Sequence, residues 1–577
     1  MSRSACGICA GSLELRFPGK AQAPTAELLS PSNHRPGLHS GFYRCRECGT
    51  VQQVAAPGGP ELRGLYEQMR DEEYLAEEAG RRATARRLLD LIARQVASGR
   101  LLDVGCGHGL LLDEARARGY ETIGLELSRA AATHARDRLG LDVRATSLEE
   151  AELDPGSLDA IVLADVLEHL DDPPAAIERC RKLLADGGAL CLVTPDPASP
   201  TARLAGARWW GYLPAHTFLL PRRTLHEVVS ATGLIVSADV PFVRTFSAPY
   251  WVAGLAQRGG PIGAVAGAAA RLSPSRASIS LSLGDERVLL AHRVGVRRPR
   301  RPILRPRGTP HSVHVVLPAY RAADTIPAVA SELPRDAADR ALLVDDASPD
   351  GTVEVALESG FDVLVHPANR GYGANQKTCY TDAALSGADV VVMVHADNQY
   401  DPALSARMVE PILDGRADVV IGSRLLEDET IAGGMPRWKW LGNRLLTQIE
   451  NRAFGCSFSE YHTGYRAFSV PFLRSIPFLR NSDGFVFDQE IFAQMIARRA
   501  RIVELAIPTR YFLEASSVGI RDSVEYGLRT LLVLARFRLD HRLGRWPLLR
   551  RPAVSLRARA QDAQPAPAAA VGPGVPT

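Results

Sequence analysis

RRPRRPILRPRGTP, residues 297–310, carries four prolines and six arginines and shows no period of 2 or 3.6. Each proline fixes φ and removes a backbone donor, so the run resists helix and sheet and reads as an extended linker. Before it lies one complete α/β pattern. After it a second begins with the β-branched run VHVVLPAY, residues 313–320. This division implies two nucleotide-handling domains in one chain.

Composition bounds the function classes. A length of 577 residues allows about three or four domains, each able to bury its own core. Hydrophobic residues at 46% and charged residues at 23% are ordinary for a soluble globular protein. A net charge of +3 does not suggest a nucleic-acid binder, so no nucleic-acid partner is expected. All but Lys20, Lys182, Lys377 and Lys439 of the 68 basic residues are arginines, so arginine abundance carries little functional weight. MSRSACGICAGS has no apolar leader core, and no window reaches about 18 uninterrupted apolar residues. The expected location is the cytoplasm.

Residues 1–50 hold two C-x-x-C pairs, Cys6/Cys9 and Cys45/Cys48, across a Pro/Gly/Ser-rich loop. Four thiolates so paired can close a tetrahedral zinc site, structural in role because no position is left for substrate. The competing reading is two unrelated reduced pairs in a reducing compartment. Residues 51–98 read as a helical lead-in, with Leu65, Met69, Leu88, Leu91 and Ile92 at helical spacing.

In residues 99–296, LLDVGCGHG (101–109) is a short strand running into Gly105, Gly107 and Gly109. Glycines there let the backbone approach a cofactor, with a helix N-terminus behind it. The next strand, ETIGLELS, ends at Glu126, an offset at which an acid can accept from ribose hydroxyls. These residues alone also fit a dinucleotide enzyme. The segment LDAIVLADVLEHLDDPPAAIERCRKLLADGGALCLVTPD (158–196) resembles class I S-adenosylmethionine-dependent methyltransferases. ARLAGARWWGYLPAHTFLLPRRTL (202–225) resembles a subgroup of them with an N-terminal zinc motif, some members of which methylate sugars. The resemblance implies that Asp103, Gly105, Gly107 and Gly109 line the methionine and ribose side and that Glu126 takes the ribose. Ser147 and Leu148 fall at the adenine pocket, and Asp165 opens the substrate-side loop. His169 and His216 are candidate bases, each equally readable as a structural histidine. Trp209, Trp210 and Tyr212 form either a substrate wall or core.

In residues 313–525 the order VHVVLPAYRAADTI, ALLVDDASPDGT (341–352), NRGYGANQKT (369–378), DVVVMVHADNQYDP (389–402) and VVIGSRL (419–425) resembles the GT-A glycosyltransferases of family 2. The branch containing dolichyl-phosphate mannose synthase is the most similar. The resemblance implies that Pro318, Tyr320, Asp346 and Lys377 hold a nucleotide-sugar, and that Asp397, with Gln399, ligates a divalent ion on the diphosphate. Oxygen ligands suit Mg²⁺ or Mn²⁺. The family's D-x-D opens here with His395, and imidazole suits Mn²⁺ better than Mg²⁺. Asp488 is the candidate base if the acceptor is a hydroxyl, whereas a phosphate acceptor needs none. Arg424, Arg510 and Arg521 are candidates for binding acceptor or diphosphate oxygens, or ordinary surface arginines. The Q-x-x-R-W motif of processive synthases is absent, which implies single-sugar transfer.

The helix VEYGLRTLLVLARFRLDHRLGR (524–545) has an apolar side studded with arginines. It packs on the sugar-transfer domain or lies on an anionic membrane surface. Residues 526–577 as a whole read as amphipathic helix and disordered tail. The expected architecture is α/β, with two Rossmann-like doubly wound domains, a small N-terminal zinc motif, and a linker over 297–312. The expected function is bifunctional: inverting sugar transfer to a polyprenyl phosphate or saccharide, and methyl transfer from S-adenosylmethionine. A nucleic-acid methyltransferase fused to a glycosyltransferase, or one active half with a docking module, are the alternatives.

Overall fold

A computed structural model describes residues 5–19, 25–29, 39–54, 59–71, 73–256, 278–305, 307–426, 437–508, 520–543 and 546–556. The chain opens with β1 (Leu13–Phe17), β2 (Phe42–Cys45) and β3 (Val51–Gln53), an antiparallel set. Helices α1 (Gly59–Gln68) and α2 (Glu78–Ala93) follow. α2 buries Leu88, Leu89 and Ile92 against Leu101, Leu112 and Val162. Each such side chain contributes about 1.5–3 kcal/mol when fully removed from water.

The first large sheet comprises β4 (Gly99–Val104), β5 (Tyr120–Leu125), β6 (Asp142–Arg144), β7 (Leu158–Ala164) and β8 (Leu184–Pro195). Helices α3 (Leu110–Arg116) and α4 (Arg129–Leu139) connect the first three strands. Ser128 caps α4 by accepting from the Ala131 amide, and Gly140, in the left-handed region, ends it. After β9 (Phe218–Leu219) and α5 (Arg222–Ala231) come β10 (Ile235–Pro241), the β11/β12 pair (Arg244–Ser247, Ser278–Leu281) and β13 (Glu286–His292). The order is β10-β13-β8-β7-β4-β5-β6, parallel except at β13, which runs antiparallel to both neighbours.

β9 does not join that sheet. It pairs with β3 and completes a four-stranded β1-β2-β3-β9 sheet. Phe42, Val51, Trp209, Tyr212 and Leu219 form its core. Trp209 and Trp210 both donate their indole N–H to Asp285 Oδ2, at 2.7 Å each. The aromatic stretch weighed as a substrate wall is therefore a joint between the cysteine-bearing sheet and the domain behind it.

The second large sheet contains β14 (Val313–Ala319), β15 (Arg340–Asp345), β16 (Asp362–Val365), β17 (Val390–Met393), β18 (Val419–Ser423), β19 (Arg466–Ser469) and β20 (Ile502–Ala506). Its order is β16-β15-β14-β17-β19-β18-β20, with β19 antiparallel between β17 and β18. Helices α6 (Tyr372–Leu385), α7 (Arg437–Phe454), α8 (Phe487–Ala497) and α9 (Ile520–Leu543) surround it. No helix among the described residues is long and apolar enough to cross a membrane.

The proline run is not a free tether. Arg297 and Val363 exchange both backbone hydrogen bonds, at 2.7 and 2.9 Å, and the Ile303 amide donates to Gly360 O. Leu304 enters the core of the second domain. An edge strand offers unpaired backbone groups, and residues between prolines still have amides to meet them. The first residues of the expected tail are ordered too. Leu548, Ala553 and Leu556 are buried, and the Ala553 amide donates to Glu227 Oε1 of α5. Residues 557–577 and Arg510 lie outside the described residues, as does the side chain of Arg521.

Candidate active sites

In the first domain the glycine loop leaves β4 with Gly105, Gly107 and Gly109 all at positive φ, conformations that a side chain would strain. Glu126 ties it down: Oε2 accepts from the Gly107 amide at 2.8 Å and Oε1 from the Ser128 amide at 2.7 Å. Asp103, at the buried end of β4, lies close enough to Glu126 to feel its charge. Burial, with that charge, pushes its carboxyl up to about 8. Two buried acids with little compensation fit a cationic ligand, as an amino-acid sulfonium is. Tyr74 closes over the loop, stacked on His108 with ring centroids 4.8 Å apart and covered by the Arg81 guanidinium at 3.7 Å. Neither Tyr74 nor Arg81 stands out in the sequence, because both come from the lead-in helices. Ser147 accepts from the Glu150 amide at 3.4 Å, while the Leu148 side chain packs in the core.

Asp165 follows β7 in the left-handed region, φ 58°. Both its oxygens receive Arg244 Nη2 at 2.7 Å, and Arg244 also donates through Nε to Glu286 at 2.7 Å. Such strain in a non-glycine residue at a strand's C-terminal end is frequent at ligand sites. Beyond it the chain brings His169 and His216 together, rings at 80° with centroids 4.8 Å apart. His169 Nδ1 meets Tyr66 Oη at 2.8 Å. Burial pushes His169 down to about 4 and His216 to about 3, so both are neutral near pH 7.

In the second domain Asp346 is spent on its own loop. It accepts from His366 Nδ1 at 2.7 Å and from the Arg370 and Gly371 amides at 2.9 and 2.8 Å. Lys377 Nζ donates to Asp483 at 2.8 Å and to the Asn481 carbonyl, away from open solvent. Arg424 makes a two-pronged pair with the fully buried Glu460. Pro318 lies in β14, and Tyr320 beyond it is 47% exposed with Arg321 over its ring at 5.3 Å.

The structure does gather the residues around Asp488. Its Oδ1 accepts from Arg466 Nη1 at 2.9 Å and Gln376 Nε2 at 3.0 Å, and Oδ2 has a long contact of 3.5 Å from Tyr372 Oη. The same tyrosine hydroxyl lies 3.1 Å from His395 Nε2. His395 is half-buried, and its ring sits edge-on to Tyr400 at 5.1 Å. Asp397 is partly exposed, with Oδ1 accepting from the Gln399 amide at 3.1 Å, and Asn398 between them has φ 56°. The Gln399 side chain makes no hydrogen bond within the described residues. Tyr372, Gln376 and Arg466 escaped the sequence reading as site residues. They sit inside recognised motifs, but only the fold aims them at Asp488.

At the N-terminus the four cysteines converge. Cys6 and Cys48 sulfurs are 3.7 Å apart and those of Cys9 and Cys45 3.4 Å, with no disulfide. A tetrahedral site with Zn–S near 2.3 Å has sulfurs about 3.8 Å apart, so the donor set fits zinc.

Comparison with known proteins agrees with this geometry. Residues 75–238 match the methyltransferase domain family and 314–476 match glycosyl transferase family 2. The chain joins a methyltransferase domain to a family 2 glycosyltransferase domain. Glycosyltransferase AglJ of Haloferax volcanii is 30% identical over 208 residues, 35% of this chain and 64% of that protein. A ubiquinone biosynthesis O-methyltransferase of Xanthomonas campestris pv. campestris is 36% identical over 148 residues, 24% of this chain and 59% of its own. The chain thus spans less than two thirds of either relative. Among solved structures, glucosyl-3-phosphoglycerate synthase from Mycobacterium tuberculosis aligns at 20% identity and TM-score 0.33, over 40% of this chain and 80% of that one.

Proposed function

We propose that the protein is bifunctional. Its second domain transfers one sugar, with inversion, from a nucleotide-sugar to a polyprenyl phosphate or a glycan. Its first domain transfers a methyl group from S-adenosylmethionine to a sugar, glycan or related small molecule. The observation that carries the sugar half is the Tyr372 hydroxyl lying between His395 and Asp488, with Arg466 and Gln376 fixing Asp488 from the other side. In this reading the donor is held by Pro318, Tyr320, Asp346, Lys377 and Arg424. Asp346, Lys377 and Arg424 act chiefly by holding the 369–372, 481–483 and 460–462 loops in place. Asp397 and Gln399 would hold Mg²⁺ or Mn²⁺, which supplies positive charge against the leaving diphosphate. Asp488 Oδ2, the less occupied oxygen, takes the proton of a hydroxyl acceptor.

In the methyl half, Asp103, Gly105, Gly107, Gly109, Glu126, Ser147, Leu148 and Asp165 form the cofactor side. His169 or His216, neutral at pH 7, receives the acceptor's proton. The methyl is already activated, so alignment carries most of the rate. The four cysteines hold a structural zinc.

A lipid acceptor draws support from the paired helices α7 and α9. Leu441, Leu445 and Ile449 on α7, and Leu528, Leu532 and Leu539 on α9, are 40–64% exposed. Exposed Arg444, Arg452, Arg529, Arg536 and Arg538 flank them. An apolar stripe edged by arginines suits the inner face of an anionic membrane.

The test is label transfer from a panel of nucleotide-sugars to polyprenyl phosphate with Mn²⁺ or Mg²⁺. Label entering the organic phase, and lost in Asp397→Ala, supports the lipid-phosphate acceptor. Donor turnover with label only on saccharide moves the acceptor to glycan. No donor turnover with any acceptor overturns the sugar-transfer reading. Sedimentation with phosphatidylglycerol vesicles, weakened in Leu532→Glu, checks the membrane face separately.

A further inference from the structure

Three potential metal-ligating side chains converge beside the cofactor pocket. Glu168 and His169 occupy the 3-10 turn Leu167–His169 just after Asp165. His216 arrives from the loop before β9. One ligating atom from each of the three lies within 4.8 Å of the other two. The turn and the loop are tied together, since the Thr217 amide donates to Glu168 O at 2.8 Å.

The hydrogen bonds show which atoms are already engaged and which are left to ligate. His216 Nδ1 lies 2.8 Å from Gly211 O and His169 Nδ1 lies 3.1 Å from Ala215 O. A carbonyl only accepts, so in both rings Nδ1 carries the hydrogen, which His169 shares between Ala215 O and the Tyr66 hydroxyl at 2.8 Å, and Nε2 keeps the lone pair. Neither Nε2 has a partner within the described residues. Glu168 Oε2 accepts from Thr194 Oγ1 at 3.1 Å, while Oε1 is buried with no partner at all. Glu168 is 1% exposed and His216 4%. A buried carboxylate oxygen with no partner, grouped with two imidazoles, is costly as it stands and is what a cation would satisfy. Imidazoles fixed by backbone carbonyls, and a carboxylate fixed by a hydroxyl, are the outer-shell arrangement of metal ligands.

We propose that Glu168, His169 and His216 form a further metal site, distinct from the four cysteines and from Asp397. Two imidazoles and a carboxylate suit a borderline divalent ion such as Zn²⁺, Fe²⁺ or Mn²⁺, and three protein ligands leave a position for a substrate oxygen. The site adjoins the cofactor pocket: Tyr66, bonded to His169, feels the charge of both Glu168 and Glu126. Resting on the methyl-transfer reading, the role follows. A hydroxyl of the methyl acceptor binds the ion, which lowers its pKa, and its proton leaves to water. The oxygen then forms the C–O bond to the methyl as the C–S bond breaks, and that electron pair returns to sulfur as a thioether. In this role both histidines are ligands rather than bases.

The test counts metal, so it is independent of any acceptor. The full chain carrying Asp397→Ala, which removes the sugar-domain site, is stripped with chelator, reloaded with Co²⁺, dialysed and measured for metal content and absorption. Two ions per chain are expected, one with the intense near-ultraviolet bands of thiolate ligation and one with only weak visible bands. Glu168→Gln and His216→Ala should each lose the second ion, keep the thiolate bands, and still bind S-adenosylmethionine, which shows that the domain is folded. Cys9→Ser should abolish the thiolate bands, which assigns them to the cysteines. One ion per chain in the Asp397→Ala protein, or two that survive Glu168→Gln in it, would overturn the proposal. If metal binds as expected and no acceptor is ever methylated, the site stands and the methyl-transfer reading falls.

Discussion

Asp103 makes no side-chain hydrogen bond within the described residues, and burial with Glu126 nearby raises its carboxyl to about 8. At pH 7 the empty pocket therefore holds a proton there, which a cationic cofactor would displace. Calorimetry in buffers of different ionisation heat should register release of up to about one proton per cofactor bound at pH 7. Affinity should rise with pH through about 8, and Asp103→Asn should abolish both effects. For the fold the sign is opposite. An acid with a raised folded pKa favours folding below its unfolded value near 3.9, and that contribution is lost as pH rises toward 8. In the other domain, a Cβ on Gly464 would lie 2.1 Å from His395 Nε2. Gly464→Ala must displace the ring that Tyr372 and Tyr400 hold. Sugar transfer should fall about 100-fold, as a misplacement near 1 Å does, while methyl transfer continues unchanged.

The cysteine-bearing sheet shows what one small element does for its neighbour. β9 is its fourth strand, and the residues just before β9 carry His216 and Thr217. Gln53 Nε2 of β3 also donates to the carbonyls of Pro214 and His216, at 3.0 and 2.8 Å. Losing metal from the cysteines should thus loosen the histidine pair as well as the sheet. Cys9→Ser is expected to lower the melting temperature and reduce methyl transfer at least tenfold, with sugar transfer preserved. Parallel loss of both activities would mean that the cysteines stabilise the whole chain instead. The Cys pairs were legible from spacing, since C-x-x-C places two thiols on one turn. Their tie to His216 was not, because it runs through strand pairing over more than 160 residues.

Across the whole molecule the two domains share a buried ion pair. Arg480 Nε and Glu227 Oε2 are 2.6 Å apart with side chains 2% and 1% exposed, and the segment 546–556 packs over both. Removing one partner of a buried pair strands the other charge, at a cost of about 3–5 kcal/mol. Arg480→Ala should lower stability by that amount in chemical denaturation and separate the unfolding of the two domains in calorimetry. A change under 1 kcal/mol would mean that water reaches Glu227. The pair joins residues 253 positions apart, and neither lies in a motif.

By itself the sequence determined the two α/β domains and the glycine loop after the first strand of the first one. Those features are local: glycines at positive φ, an acid one strand later, and apolar runs ended by turns. It also supplied Asp488, Asp397, His169 and His216 as candidates, since motifs keep reactive residues at fixed strand ends. Only the tertiary structure decided what those residues face. Asp346, Lys377 and Arg424 turned out to brace loops, and Arg466 and Tyr372 to surround Asp488. The proline run became an edge cap, and Glu168 met two histidines. Hydrogen bonds and burial depend on which chain segments lie side by side, and that neighbourhood is fixed by packing across long separations rather than by local pattern.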